Sequence, residues 1–168
     1  MPRNIEIKAR IGSVAALVPA VVMLADAGPE IIQQDDTFFN CTNGRLKLRA
    51  LSKEKGELIF YQRPDMPGPK ESSYVISSTS EPDSLRAALT LAYGEAGRVR
   101  KLRTLFLIGR TRVHLDEVEQ LGSFLELEVV LEDGESAAEG GVIARDLLHK
   151  LGIREDSLIE GAYIDLQR

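Results

Sequence analysis

The feature that most constrains this chain is the alternation of ionised and apolar side chains. Asn4, Glu6, Lys8 and Arg10 interleave with Ile5, Ile7, Ala9 and Ile11. Arg45, Lys47 and Arg49 alternate with Leu46 and Leu48; Arg110, Arg112, His114 and Asp116 are opposed by Val113 and Leu115; Glu126 and Glu128 by Leu125, Leu127 and Val129. Successive side chains of a strand point to opposite faces, so each run reads as a β-strand with one charged and one apolar face. Period-two runs predict strands over Asn4–Ile11, Gln34–Phe39, Arg45–Leu51, Glu57–Arg63, Lys70–Ser77, Val99–Ile108, Arg110–Val118 and Ser123–Leu131. Turn residues such as Asn43-Gly44 and Lys55-Gly56 separate most of them, and Pro64-Asp65-Met66-Pro67-Gly68-Pro69 reads as a hairpin connection.

Short turns imply antiparallel pairing, and closing the sheet on itself would remove its exposed edges. Three segments read as helices: the apolar run starting near Val14, Pro82–Tyr93 and Ser136–Leu151. Ser13 is placed to cap the first, and Pro19 to kink or restart it. A helical turn is expected within Glu155–Glu160, and a last short strand at Tyr163–Leu166. The expected fold is α+β: a closed eight-stranded antiparallel β-barrel with helices packed outside, one domain over residues 1–168.

An open sheet with one wet face would also alternate. Two details favour closure around a ligand. The polar positions are almost all fully charged, and the signs are segregated, with Lys101 and Arg103 joining strands that present only cations and Glu126 and Glu128 forming a carboxylate pair. Like charges facing one another repel, more so as water is excluded, so such a face needs something to neutralise it. Clustered Lys and Arg suit a polyphosphate, and clustered carboxylates suit Mg²⁺ or Mn²⁺. Together they imply a metal–triphosphate complex, with the charged face turned inward and the apolar face outward under the helices.

Net charge of -5 argues against non-specific binding to nucleic acid or anionic membrane. The run Val14–Ala27 ends in Ala25-Asp26-Ala27, a small-x-small pattern of the kind that ends a signal peptide, but Pro19 interrupts it and the preceding segment alternates like a strand. It is therefore read as a helix docked on the barrel. The single cysteine, Cys41, sits in a turn-like stretch, allows no disulfide within the chain and fits a cytoplasmic protein. No G-x-x-x-x-G-K-[ST] run supports a P-loop. Of the two histidines, His149 reads as a helix surface or packing residue, while His114 shares the face of Asp116. Tyr61 and Tyr163 are read equally as cavity-lining or packing residues, and Ser72 and Tyr74 as shaping the cavity.

Asn4-Ile5-Glu6-Ile7-Lys8 resembles the ExExK signature that opens the CYTH superfamily, which takes in class IV adenylate cyclases and thiamine triphosphatases among the triphosphate tunnel metalloenzymes. The resemblance continues in order through Asp36-Thr37-Phe38-Phe39, Gly44–Arg49, Lys101-Leu102-Arg103, Val113–Val118, Leu121–Glu128 and Ala162–Leu166. It implies a barrel whose bore holds a triphosphate. Glu6, Glu126 and Glu128, with Asp116 as a fourth, take the place of metal carboxylates for Mg²⁺ or Mn²⁺. Lys8, Lys47, Arg49, Lys101, Arg103 and Arg112 take that of phosphate ligands; Arg63, Lys70 and Tyr163 are expected to join them, with Arg110 at the rim. Asn4 departs from the pattern, standing where the motif's first Glu belongs, and brings no charge. The expected function is metal-dependent hydrolysis of inorganic triphosphate, thiamine triphosphate or a nucleoside triphosphate. A cyclase making cyclic AMP and pyrophosphate from ATP ranks second, and a non-catalytic polyphosphate or nucleotide binder third. A homodimer is compatible with the sequence, though no residue points to one.

Overall fold

The computed structural model describes residues 2–64 and 66–167. Asp65, inside the expected hairpin connection, lies outside the described residues. The elements run in the order β1 (Arg3–Arg10), α1 (Val14–Leu24), β2 (Ala27–Phe39), β3 (Arg45–Ala50), β4 (Gly56–Gln62), β5 (Lys70–Thr79), α2 (Pro82–Tyr93), β6 (Glu95–Ile108), β7 (Thr111–Val118), β8 (Gly122–Val130) and α3 (Ala137–Lys150). A 3₁₀ turn (Glu155–Ser157), the short β9 (Leu158–Ile159) and α4 (Tyr163–Leu166) complete the chain.

Neighbouring strands pair antiparallel in the order β5-β4-β3-β2-β6-β7-β8-β1, and β1 returns to β5 through Arg3↔Ser73 to Glu6↔Lys70. The eight strands form a ring. β9 takes the stretch of β1 beyond β5, pairing at Lys8 and Ala9, so that edge of β1 is covered along most of its length.

The ring is packed on its outside. Ile5, Ile7, Phe106, Val113, Leu115, Leu125, Leu127 and Val129 are almost fully buried and form one core with Val14 and Val21 of α1 and Ala144, Leu147 and Leu148 of α3. Ser13 Oγ accepts from the Ala16 amide and caps α1. Ser136 and Glu139 form a reciprocal capping box on α3. The charged positions of the same strands face the bore, as the alternation requires. At one end the bore is apolar instead: Phe38, Ile59, Tyr61, Val99, Val118 and Phe124 pack against Ala162, Tyr163 and Ile164 of the α4 segment. Gly97 gives Ile164 its seat, because a Cβ there would stand 2.7 Å from Ile164 Cδ1.

Three expectations change. The segment Tyr163–Leu166 is a helix rather than a strand; Asp165 accepts from the Ala162 amide, and both of its oxygens accept from Arg45 at 2.7–2.8 Å, which holds the turn as a plug. α1 runs through Pro19 without restarting, since an exposed position one and a half turns from the helix start loses few hydrogen bonds. β2 begins at Ala27, seven residues before the expected Gln34, because pairing with the long β6 carries it past the end of β3.

Helix α3 crosses β1 at Gly140, where a Cβ would come within 2.6 Å of Ile5 Cγ1 and 2.7 Å of Leu131 Cδ2. An exposed helix would gain about 1 kcal/mol from Gly→Ala; here overpacking opposes the gain. Gly140→Ala is expected to lower the stability by about 1–2 kcal/mol, read as a fall in urea midpoint at unchanged slope; a rise would contradict this packing.

Candidate functional site

The bore is a cavity of about 310 Å³. Lys8, Lys47, Arg49, Arg63, Lys101, Arg103 and Arg112 line it together with Glu6, Asp36, Glu57, Glu126 and Glu128. Strand parity brings them together: all but Arg63, which directly follows β4, lie on the inward face of a strand.

The charges are organised into two groups. In the first, Asp36 is a hub. Its carboxylate accepts from Arg49 Nε and Nη2 at 2.9 Å each and from Lys101 Nζ at 2.9 Å, with Lys47 Nζ at 3.5 Å. Burial alone would raise its pKa, but Arg49, Lys101 and Lys47 hold it well below the usual carboxylate range. One carboxylate cannot balance three cations. Burial and the neighbouring Arg49 push Lys47 down to about 7, and burial with Arg49 and Arg103 pushes Lys101 down to about 8 against the pull of Asp36.

The second group is acidic. Glu126 lies across from Lys8 on β1 and His114 on β7. His114 Nδ1 is 3.1 Å from Glu126 and Nε2 is 3.4 Å from Glu128. Lys8 Nζ approaches Glu126 at 3.4 Å, and Arg112 Nε donates to Glu128 at 3.1 Å. Burial would raise Glu126, but Lys8, His114 and Arg103 keep it well below its ordinary value. Glu6 has the opposite fate: burial, then Glu126 and Glu128, lift it to about 7, and Arg63 at 3.5 Å offsets only part of this. Asn4 donates weakly to Glu128, at 3.5 Å, and its fully buried Oδ1 has no hydrogen-bond partner.

Of the residues singled out in the sequence, Glu6, Lys8, Lys47, Arg49, Arg63, Lys101, Arg103, Arg112, Glu126, Glu128 and Tyr163 all line this cavity. Three lie elsewhere. Asp116 does not line it: both oxygens accept from Arg103, at 2.8 and 2.9 Å, and one also accepts from Tyr163 Oη at 2.7 Å, so it positions Arg103 rather than facing the bore. Arg110 sits in the turn after β6 and pairs with Glu132 and Glu135 outside the cavity. Lys70 is buried but does not line the cavity, and its Nζ donates to the Met66 carbonyl at 3.0 Å. Tyr61 and Tyr163 both line the bore and pack in its apolar end; Tyr163 also lies under Lys8 Nζ, 3.8 Å from the ring centre. His149 is exposed on α3, and Cys41 is exposed in the β2–β3 loop.

Sequence reading did not place Asp36 or Gln34 in the site. Their signal was parity: both share the inward face of β2 with Phe38. Among the described residues, His114, Glu126 and Glu128 bring ligand atoms within 4.8 Å of one another and could hold a metal ion.

A closed antiparallel ring with an ion-lined bore and outer helices defines a class, the tunnel β-barrels. The CYTH domain family model matches residues 2–163, and the chain belongs to that family. An adenylate cyclase CyaB from Aeromonas hydrophila is 24% identical over 171 residues, covering 95% of this chain and 86% of that one. The PH1012 protein of Pyrococcus horikoshii superposes with a TM-score of 0.86 at 23% identity, covering 97% of this chain and 98% of that one. A Hippeastrum protein described as a putative adenylyl cyclase with a dominant triphosphatase activity superposes at 0.66 with 14% identity, covering 96% and 91%. Among the described residues, no helix is long and apolar enough to cross a membrane.

Two outcomes follow from the charge balance. Lys47 and Lys101 are partly neutral at pH 8, and an entering polyanion favours their charged forms. Binding of tripolyphosphate without metal should take up protons at pH 8, and its affinity should fall as pH rises through about 7 and about 8. Calorimetry in buffers of different ionisation enthalpy reads this; a proton lost by the phosphate itself would give the opposite sign. Asp36→Asn leaves three buried cations without their counter-charge and should cost roughly 3–5 kcal/mol of stability in denaturant, partly restored by tripolyphosphate.

Proposed function

We propose that this protein cleaves a triphosphate held in the bore, releasing orthophosphate with the help of a divalent cation. The observation that carries the reading is the side-by-side placement of a cation-rich group around Asp36 and a carboxylate group around Glu126, in one enclosed cavity. The two relatives whose descriptions mention cyclase or triphosphatase activity belong to the same chemistry, attack on a phosphorus of a triphosphate.

The acidic group fits a cation. Asn4 Oδ1 is buried and unpartnered, and Glu6 is lifted to about 7 by burial and its carboxylate neighbours, so a positive charge among them would relieve both. Glu126, Glu128, His114, Glu6 and the Asn4 oxygen form the donor set, mostly oxygen, which suits Mg²⁺ or Mn²⁺. A cation there would supply charge neutralisation and polarisation of phosphate oxygens. Asp116 is not in the set, because Arg103 and Tyr163 occupy its oxygens.

The chain's own residues do the rest. Lys47, Arg49 and Lys101 neutralise phosphate oxygens beside Asp36. Arg103 is fixed by Asp116 with its guanidinium reaching toward Glu126, 3.6 Å away, and so sits between the two groups, where the anionic chain must pass. Burial strengthens each of these interactions and holds the chain in one pose. No residue is required as a covalent nucleophile.

The test is product analysis with Mg²⁺ and with Mn²⁺. The expected result is orthophosphate. Cyclic AMP with pyrophosphate would assign the cyclase reaction that the name of the Aeromonas relative suggests, and tight binding without product would assign a binding module. Glu128→Gln and Arg103→Met should each lower kcat/KM at least about 100-fold with the far-UV spectrum unchanged. Asn4→Glu adds a charged ligand and should raise affinity for the metal, read by titration of activity with Mn²⁺.

A further inference from the structure

We propose that this chain forms a two-fold dimer through the outer face of β2, β6 and β7, with a second copy of itself as the partner. The inference concerns the outside of the ring and does not depend on what the bore holds. Helix α1 packs on β6 and β7, in one core with Phe106 and Val113. Helix α2 packs on β2 and β3, where Arg86 Nε donates to Thr37 Oγ1 at 3.0 Å. Between the two helices the outer face is open, as a groove of about 750 Å³. Outward Leu115, Leu125 and Leu127 of β7 and β8 are buried, whereas outward Leu102 of β6 is 37% exposed and Ile31 of β2 is 60% exposed. The apolar part of this face is therefore uncovered.

The charges of the groove say what covers it. Asp35 accepts from Arg98 Nε and Nη2 at 2.7 and 2.6 Å, and Asp83 is paired with Arg86 at 3.0 Å. Arg100 reaches Asp35 only at 3.6 Å. Lys53, Glu117 and Glu119 are exposed and make no ion pair among the described residues. These leftover charges are sorted by side. Lys53 sits in the β3–β4 turn, just beyond the Ala50↔Asp35 pair; Gln33 pairs with Leu102, and Leu102 with Glu117 on the far side. An axis along the β2–β6 boundary, parallel to the strands, therefore has the β3 side and β7 at equal distances, one and a half strand spacings or about 7 Å. Rotation by half a turn lays Lys53 of each copy over the partner's Glu117, and Arg100 over the partner's Asp35, with Leu102 beside the axis. Unlike charges meet at the rim and an apolar residue lies at the centre, as an isologous interface requires. Because α1 and α2 stand on opposite sides of the groove, the same rotation sets each helix against the side of the other copy that lacks one. A foreign partner would call for neither coincidence.

The experiment is sedimentation equilibrium of the full chain and of Lys53→Glu, Glu117→Lys and Leu102→Asp, with far-UV spectra to confirm the fold. The wild type should sediment at twice the chain mass. Each charge reversal alters two contacts of the dimer and should weaken association about tenfold, and Leu102→Asp should do so at least as much. The decisive arm mixes Lys53→Glu with Glu117→Lys in equal amounts. Each variant alone sets like charges against each other, while the mixed dimer restores both contacts, so the mixture should regain the wild-type association. A wild type that stays monomeric up to about 100 µM would overturn the proposal. So would reversals that leave association unchanged, which would put the interface on another face, or a mixture no tighter than its components.

Discussion

The structure depends on compensating buried charge inside a closed sheet. Seven Lys and Arg and five Asp and Glu side chains line one bore, and at low effective dielectric their mutual repulsion would open the ring if they were unpaired. Asp36 and Asp116 prevent this. Each is almost fully buried, and each accepts a two-point contact from an arginine, Arg49 and Arg103 respectively. Pinned in this way, the guanidinium groups cannot swing out to solvent. Both aspartates therefore act as scaffold, and what remains unbalanced, the excess of cations near Lys47 and of carboxylates near Glu6, is what a ligand and its cation can cancel.

Closure of the ring and polarity of the bore are linked through α4. The short β9 covers the part of β1 that β5 does not reach, and the turn that follows folds Tyr163 back into the bore. Its hydroxyl ends on Asp116 and its ring lies under Lys8. One side chain thus closes the end, fixes the carboxylate that fixes Arg103, and gives an ammonium group a π-face in place of water. Arg45 holds the same segment through Asp165. The α4 segment thus makes the two ends of the bore unlike, one apolar and filled, the other lined by charged and polar side chains.

Much of the fold was legible because strand periodicity and charge patterning agreed. Asn4, Glu6 and Lys8, Lys47 and Arg49, Arg112 and His114, and Glu126 and Glu128 each announced an inward face by alternation, and all of them line the bore. What the sequence could not announce depends on pairing partners far along the chain. Residues 27–33 of β2 carry no clean alternation and are strand because β6 is long enough to pair with them. Tyr163–Leu166 looks like a strand by composition, but Asp165 caps it as a helix. Parity gave Asp116 an inward direction but not its neighbours: Arg103 stands directly across β6 and β7 and claims it. Lys70 has the inward parity too, yet its side chain turns to the Met66 carbonyl in the connection before it. Asp36 was visible only as part of a family-like segment, since nothing local marks one aspartate of the Asp35-Asp36 pair as the hub; Asp35 faces out and pairs with Arg98.

Asn4 draws these threads together. A glutamate at this position would stand beside Glu128 and near Glu6, adding another carboxylate to a group in which Glu6 already titrates near 7. Asparagine keeps an oxygen in place without the charge, so the ligand-free ring is less repulsive and the acidic group needs less positive charge to be neutral. The same substitution lowers the number of full charges available to hold a second cation. On the proposed reading, the charge of this acidic group matches one divalent cation more closely than two.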